Sequence, residues 1–145
     1  MSVDVTVEKD IGRDRGAVAA FAMDPANDTR WITALRSART LDGGPVGVGT
    51  RVERVASFLG RRMEYVNEIV ELEAGSRLVM RSVKAPFPMR VVYELEDVPG
   101  GTRMRIRAAG DAGGFYRIAG PLLGAAVRRG IEKDLAELKR LMETG

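Results

Sequence analysis

The chain has 145 residues, 45% hydrophobic and 30% charged, with 23 basic against 20 acidic side chains. That is the size of one domain with a real core, taken here as 1–145, and no apolar run is long enough to span a membrane. There is no cysteine and no histidine, which excludes disulfides, Cys/His zinc sites, cysteine nucleophiles and Ser-His-Asp triads, and leaves any acid–base chemistry to Asp, Glu, Tyr or Lys.

Val3, Val5 and Val7 alternate with Asp4, Thr6 and Glu8, the pattern of a half-buried strand. A strand here, and not a signal peptide, sets a cytoplasmic protein as the expectation. Asp14 is placed to cap a helix over RGAVAAFAM, in which Ala17, Val18, Phe21 and Ala22 share a face. Asp24-Pro25 breaks that helix and starts a second short one over about 26–35, which puts Trp31 and Leu35 one turn apart on a common face. Residues 37–41 read as a short edge strand. The glycine-rich DGGPVGVG at 42–49 is a loop, without the lysine and Ser/Thr spacing of a phosphate-binding loop. From 50 to 111 successive strands are joined by short turns near 60–61, 74–75, 85–88 and 99–101, which predicts an antiparallel meander. Residues 115–144 read as one long helix with an apolar stripe of Leu123, Val127, Ile131, Leu135, Leu138 and Met142, reset near its start by Pro121. A single sheet and a single long amphipathic helix must bury one against the other, an α+β arrangement.

The turns permit a register test, because opposed residues share a face. Folding the last hairpin about Pro99-Gly100 sets Glu96 against Arg103 and Glu94 against Arg105, with Leu95–Met104, Tyr93–Ile106 and Val91–Ala108 on the other face. The preceding hairpin then opposes Leu78, Met80 and Ser82 to Leu95, Tyr93 and Val91, and Arg77 to Glu96. The turn at Ala74-Gly75 opposes Ile69 to Met80, Asn67 to Ser82 and Glu68 to Arg81. The turn at Gly60-Arg61 opposes Phe58 to Met63, Ala56 to Tyr65 and Arg54 to Asn67, at the cost of Glu53 facing Glu68.

Two unlike faces result. The outer one carries Glu64, Glu68, Arg77, Arg81, Glu94, Glu96, Arg103, Arg105 and Arg107, interleaved in sign, which reads as a solvated charge ladder and not a nucleic-acid surface. The inner face carries Phe58, Met63, Tyr65, Ile69, Met80, Met89, Val91, Tyr93, Met104 and Ile106. Opposite it the helix offers small residues, Gly120, Gly124, Ala125, Ala126 and Gly130. Small residues against a broad, methionine-rich sheet predict a cavity, with Phe87, Leu123 and Val127 in its wall. Arg54, Asn67 and Ser82 form a polar row across this face. They either orient a ligand's polar group, satisfy one another, or in Arg54's case point outward. Trp31 either packs in the core or meets a ligand.

This order of elements, with VDVTVEKDIGRDRGAVAAFAMDPANDTRWI, GVGTRV, IVELEAGSRLVMRS, YELEDVPGGTRMRIRAAG and RRGIEKDLAELKRLME, resembles the polyketide cyclase/dehydrase family of the START-like (SRPBCC, Bet v 1-like) superfamily over nearly the whole chain. The resemblance implies a helix-grip fold: a curved antiparallel sheet around a long C-terminal helix, two short helices between strands 1 and 2, and a ligand cavity between sheet and helix. Members include aromatase/cyclases and binders of lipids, hormones or other hydrophobic metabolites, without a universal catalytic motif. The expected function is binding of a lipid-like or polyketide-like small molecule by Trp31, Leu35, Arg54, Phe58, Tyr65, Asn67, Met80, Ser82, Phe87, Met89, Tyr93, Met104, Leu123 and Val127. The alternative is a cyclase or dehydratase in the same cavity, in which Tyr65, Tyr93 or Arg54 steers a proton or an enolate. No metal, cofactor, nucleic acid or stable membrane insertion is expected, and the chain is expected as a monomer or homodimer.

Overall fold

The computed structural model describes residues 3–111, 113–117 and 119–144. Positions 1, 2, 112, 118 and 145 of the expected domain, including 118 of the expected long helix, lie outside the described residues. Strand β1 (Val3–Ile11) leads through Asp14, whose carboxylate accepts from the Ala17 N–H at 3.0 Å, into helix α1 (Arg15–Ala22). Asp24 caps the next turn in the same way, accepting from the Ala26 N–H at 3.0 Å, and Pro25 fits its first position because it has no N–H to lose. A 3₁₀ turn (Pro25–Asn27) passes directly into the single turn α2 (Asp28–Trp31).

The second helix therefore ends four residues earlier than the sequence pattern predicts. Ile32 is extended, and Leu35 opens strand β2 (Leu35–Thr40) instead of sharing a helical face with Trp31. Two adjacent β-branched residues, Ile32 and Thr33, favour that exit. Both Trp31 and Leu35 still point inward and are buried.

Strands β3 (Arg51–Phe58), β4 (Arg61–Glu73), β5 (Arg77–Lys84), β6 (Met89–Val98) and β7 (Gly101–Gly110) form the meander. The sheet has seven antiparallel strands in the order β1-β7-β6-β5-β4-β3-β2. The β6–β7 pairs stand as predicted, Glu96 on Arg103 and Tyr93 on Ile106. So do Asn67–Ser82, Glu68–Arg81 and Ile69–Met80 between β4 and β5, followed by a register shift between Ile69 and Glu71 that bends the strand.

Two hairpins differ from expectation by two residues. Between β5 and β6, Leu78 faces Tyr93, Met80 faces Val91 and Arg77 faces Glu94, an ion pair that Glu71 extends at 3.0 Å. Between β3 and β4, Phe58 faces Arg61, Ala56 faces Met63 and Arg54 faces Tyr65. The turn there is the two-residue Leu59-Gly60, with φ of 51° and 76°, the positive pair that a type I′ hairpin demands. Its register also removes the predicted Glu53–Glu68 clash: Glu68 meets Arg51 at 3.2 Å and Glu53 meets Arg39 at 2.8 Å. An even slip leaves every side chain on its predicted face.

The outer ladder is more fully paired than the β6 carboxylates alone would allow. Across β1–β7, Asp4 meets Arg107 at 2.6 Å, Glu8 meets Arg105 at 2.9 Å and Asp10 meets Arg103 at 2.9 Å. After β7 come a one-turn helix α3 (Gly113–Tyr116) and the long helix α4 (Gly120–Thr144), which carries Pro121 in its first turn. Helix α4 lies against β1 on the inner side of the sheet and buries Leu123, Leu135, Leu138 and Met142.

Candidate functional site

The interior divides into a packed half and a hollow half. In the packed half Trp31 stands edge-on to Tyr93, ring centroids 5.8 Å apart, within a buried cluster that includes Met80, Met104, Val18 and Ala22. Helices α1 and α2 fill the sheet's concavity at that end. In the hollow half α4 stands off from β3 and β4, and a cavity of about 620 Å³ opens between them. Its size falls in the range of small-molecule sites.

Of the predicted site residues, Leu35, Phe58, Tyr65 and Phe87 line this cavity, as do Met89, Leu123 and Val127. Trp31, Arg54, Asn67, Met80, Tyr93 and Met104 are buried but not in its wall. Ser82 is half-buried and accepts from the Met89 N–H at 3.0 Å, so it positions a wall residue without being one. The distinction is depth: all these strand residues lie on the inner face, but those beneath α1 and α2 are covered.

The polar row splits up accordingly. Arg54 points inward and donates from Nε (3.0 Å) and Nη2 (2.7 Å) to Oδ2 of Asp28, the first residue of α2. Both side chains are at most 5% exposed. Burial pushes the Asp28 carboxyl above its usual range against the pull of Arg54, while Asp28 helps hold the Arg54 guanidinium charged. Arg54 also approaches the Met80 sulfur at 3.6 Å. Trp31 Nε1, Arg54 Nη1 and Asn67 Oδ1 are buried without a partner among the described residues. Sequence reasoning missed Asp28. Its signal was its place three residues before Trp31, on the same face of one helical turn.

Aromatic rings wall one end of the cavity. Tyr116 on α3 stands edge-on to Phe58 at 5.6 Å and lies 6.2 Å from Phe87. Outside it, Phe115 carries the Arg61 guanidinium over its ring at 3.9 Å. Tyr116 went unassigned because the sequence pattern placed it inside the long helix, whereas Arg117, at φ 55°, turns the chain between α3 and α4.

The cavity wall holds one acid among the described residues, Asp134 of α4. Its Oδ1 accepts from both the backbone N–H and the hydroxyl of Thr33, each at 2.9 Å. Burial pushes this carboxyl up to about 6. Burial also raises the Tyr65 phenol, which stays protonated in the same wall. Among the described residues no group of three or more Asp or Glu side chains is arranged to hold a metal, and no helix is long and apolar enough to cross a membrane.

A sheet curled about a long C-terminal helix, two short helices after the first strand, and a cavity between sheet and helix define the helix-grip class. A family model described as "Polyketide cyclase / dehydrase and lipid transport" matches residues 2–143. The chain belongs to that family. Among solved structures it is similar to TTHA0849 from Thermus thermophilus (TM-score 0.81, 19% identity, covering 97% of each chain). It is similar also to a START superfamily protein from Mycobacterium smegmatis (TM-score 0.79, 11% identity, 99% of this chain and 97% of that one). A third likeness is to Ara h 8.0201 (TM-score 0.73, 12% identity, 100% of both chains). At these identities the likeness is one of fold. No curated protein matches the sequence.

Proposed function

We propose that the protein binds a hydrophobic small molecule, lipid-like or polyketide-like, in the cavity between its sheet and α4. The observation that carries this reading is the cavity itself, about 620 Å³ and walled mainly by apolar side chains from β3, β4, β6 and α4. Leu35, Phe58, Tyr65, Phe87, Met89, Leu123 and Val127 are its proposed contacts. Methionine and aromatic walls suit a ligand of variable shape. The test is binding of the neutral fluorophore N-phenyl-1-naphthylamine to the wild type and to Val127→Trp, which fills the cavity from the helix side. The wild type should bind and the variant should lose at least about tenfold in affinity, worth about 1.4 kcal/mol. Equal binding by a folded variant would place the probe elsewhere.

One observation favours a second reading, a cyclase or dehydratase. Asp134 is a fixed carboxyl able to hold or release a proton near neutral pH beside the Tyr65 phenol. Arg54, on which that reading leaned, is committed to Asp28 and lies outside the wall. Exchange of deuterium into the α-carbon of a ketone bound in the cavity, lost in Asp134→Asn, would support this reading. Exchange at the same rate in the variant would remove it.

A further inference from the structure

The proposed ligand's second chemical feature follows from how the arginines are paired. On the outer face Arg103, Arg105 and Arg107 each meet a carboxylate, and inside the protein Arg54 meets Asp28. The cations at the cavity's opening stand differently. Arg90, Arg129 and Lys133 belong to its wall and are exposed, so they sit where it meets solvent. Arg129 and Lys133 lie one turn apart on α4, and like charges at that spacing repel. Among the described residues neither side chain forms a hydrogen bond or a close ion pair, and Lys133 feels only the charge of the neighbouring Asp134. Arg36 on β2 reaches the same region, where its Nε is 3.4 Å from the Ser57 hydroxyl of the cavity wall. The exposed Leu59 adds an apolar edge.

We infer that the ligand is an amphiphilic anion, its apolar body in the cavity and its acid group at the opening against Arg129 and Lys133. This rests on the cavity-binding reading above. Asp134 is the one carboxylate in the wall, and its single charge, which attracts the neighbouring Lys133, offsets these two cations only in part. Thr33 occupies its Oδ1, and burial disfavours its ionised form. An acid group entering from solvent keeps part of its hydration at the rim, so it meets two cations without the desolvation cost that a buried ion pair would carry.

The experiment compares two probes with one aromatic skeleton, N-phenyl-1-naphthylamine and its sulfonate, 1-anilinonaphthalene-8-sulfonate. The sulfonate should bind roughly three- to tenfold tighter at low ionic strength, the size of one or two exposed charge pairs, and the margin should shrink as salt is raised. R129Q/K133Q should reduce the preference, read as the ratio of the two probes' affinities for the same variant, to within about twofold. R81Q/K84Q, an equal loss of charge on exposed β5 positions, should retain the preference, and circular dichroism confirms that each variant is folded. The inference is overturned if the neutral probe binds without a sulfonate preference, or if the preference survives R129Q/K133Q; in both cases cavity binding stands. If neither probe binds the wild type, the cavity reading and the inference fail together.

Discussion

Removing Asp28 should cost the protein a large share of its stability. Its carboxylate holds the Arg54 guanidinium at 2.7 Å, with the two side chains 3% and 5% exposed. At that separation an effective dielectric near 20 gives a Coulomb attraction of about 6 kcal/mol, most of it offset by the desolvation of two ions. Net worth and cost of removal therefore differ. Asp28→Ala leaves a buried guanidinium whose one remaining hydrogen-bond contact among the described residues is the Met80 sulfur, and losing one partner of a buried pair costs about 3–5 kcal/mol. Against a total stability of about 5–15 kcal/mol this is severe. With a urea slope near 2 kcal/mol per molar, the midpoint should fall by about 2 M. Arg54→Met removes the cation and puts a methionine beside Met80. Adding it to Asp28→Ala should recover part of the loss, giving a coupling of about 2 kcal/mol or more in the double-mutant cycle. Arg54→Met should also change binding of the neutral naphthylamine far less than Val127→Trp does, because Arg54 is outside the cavity wall. The reasoning is refuted if Asp28→Ala costs under about 1 kcal/mol, or if the two substitutions are additive within about 0.5 kcal/mol.

Two further substitutions, with one control, test other parts of the structure. Asp134 has a folded-state pKa of about 6 against an ordinary 3.8. The folded state thus binds its proton more tightly, and the stability this confers is complete below pH 3.8 and lost as pH rises through 6. Asp134→Asn, which can still accept from Thr33, should match the wild type near pH 3.5. It should exceed it at pH 7.5 by about 1–3 kcal/mol, the upper figure being the full shift at 1.36 kcal/mol per unit. Urea midpoints across that range check the sign, and a variant less stable at pH 7.5 would reverse the argument. Gly101→Ala would place a Cβ 2.0 Å from the Ile11 carbonyl oxygen, a backbone clash that should cost about 2 kcal/mol or more in thermal unfolding. Gly43→Ala, with nothing within 4 Å of the added carbon, serves as the neutral control at about 0.5 kcal/mol or less.

Face and order were legible in the sequence because they rest on local alternation. Val91, Tyr93 and Leu95 point inward in any register that preserves parity, and opposed charges located the β6–β7 hairpin. Parity cannot detect an even slip, and both register errors were slips of two. The β3–β4 turn was decided by backbone angles at Leu59-Gly60, where a leucine occupies a position that usually advertises itself as asparagine or glycine. The candidate site divides on similar grounds. Tyr65 and Tyr93 have equal claims by pattern, yet only Tyr65 reaches the cavity, because α2 lays Trp31 over Tyr93. Asp28, Tyr116 and Asp134 owe their roles to partners 26, 58 and 101 positions away, at Arg54, Phe58 and Thr33, and no local pattern announces a pairing at that distance.

Those distant pairings also connect the two halves of the interior. Arg54 on β3 anchors Asp28 at the first position of α2, and Trp31 at the last position packs on Tyr93. One turn of helix is thus held at both ends. Thr33 follows two residues later, and it brings the start of β2 to Asp134 on α4. The buried ion pair therefore acts at the cavity without touching it, by fixing where the segment before β2 leaves the core and meets the helix. This gives Arg54 a positioning role distinct from ligand contact. It also explains why the inner face can contain an arginine and still present a largely apolar wall: that charge is neutralised by Asp28, and the cations left to an incoming molecule are those on the rim.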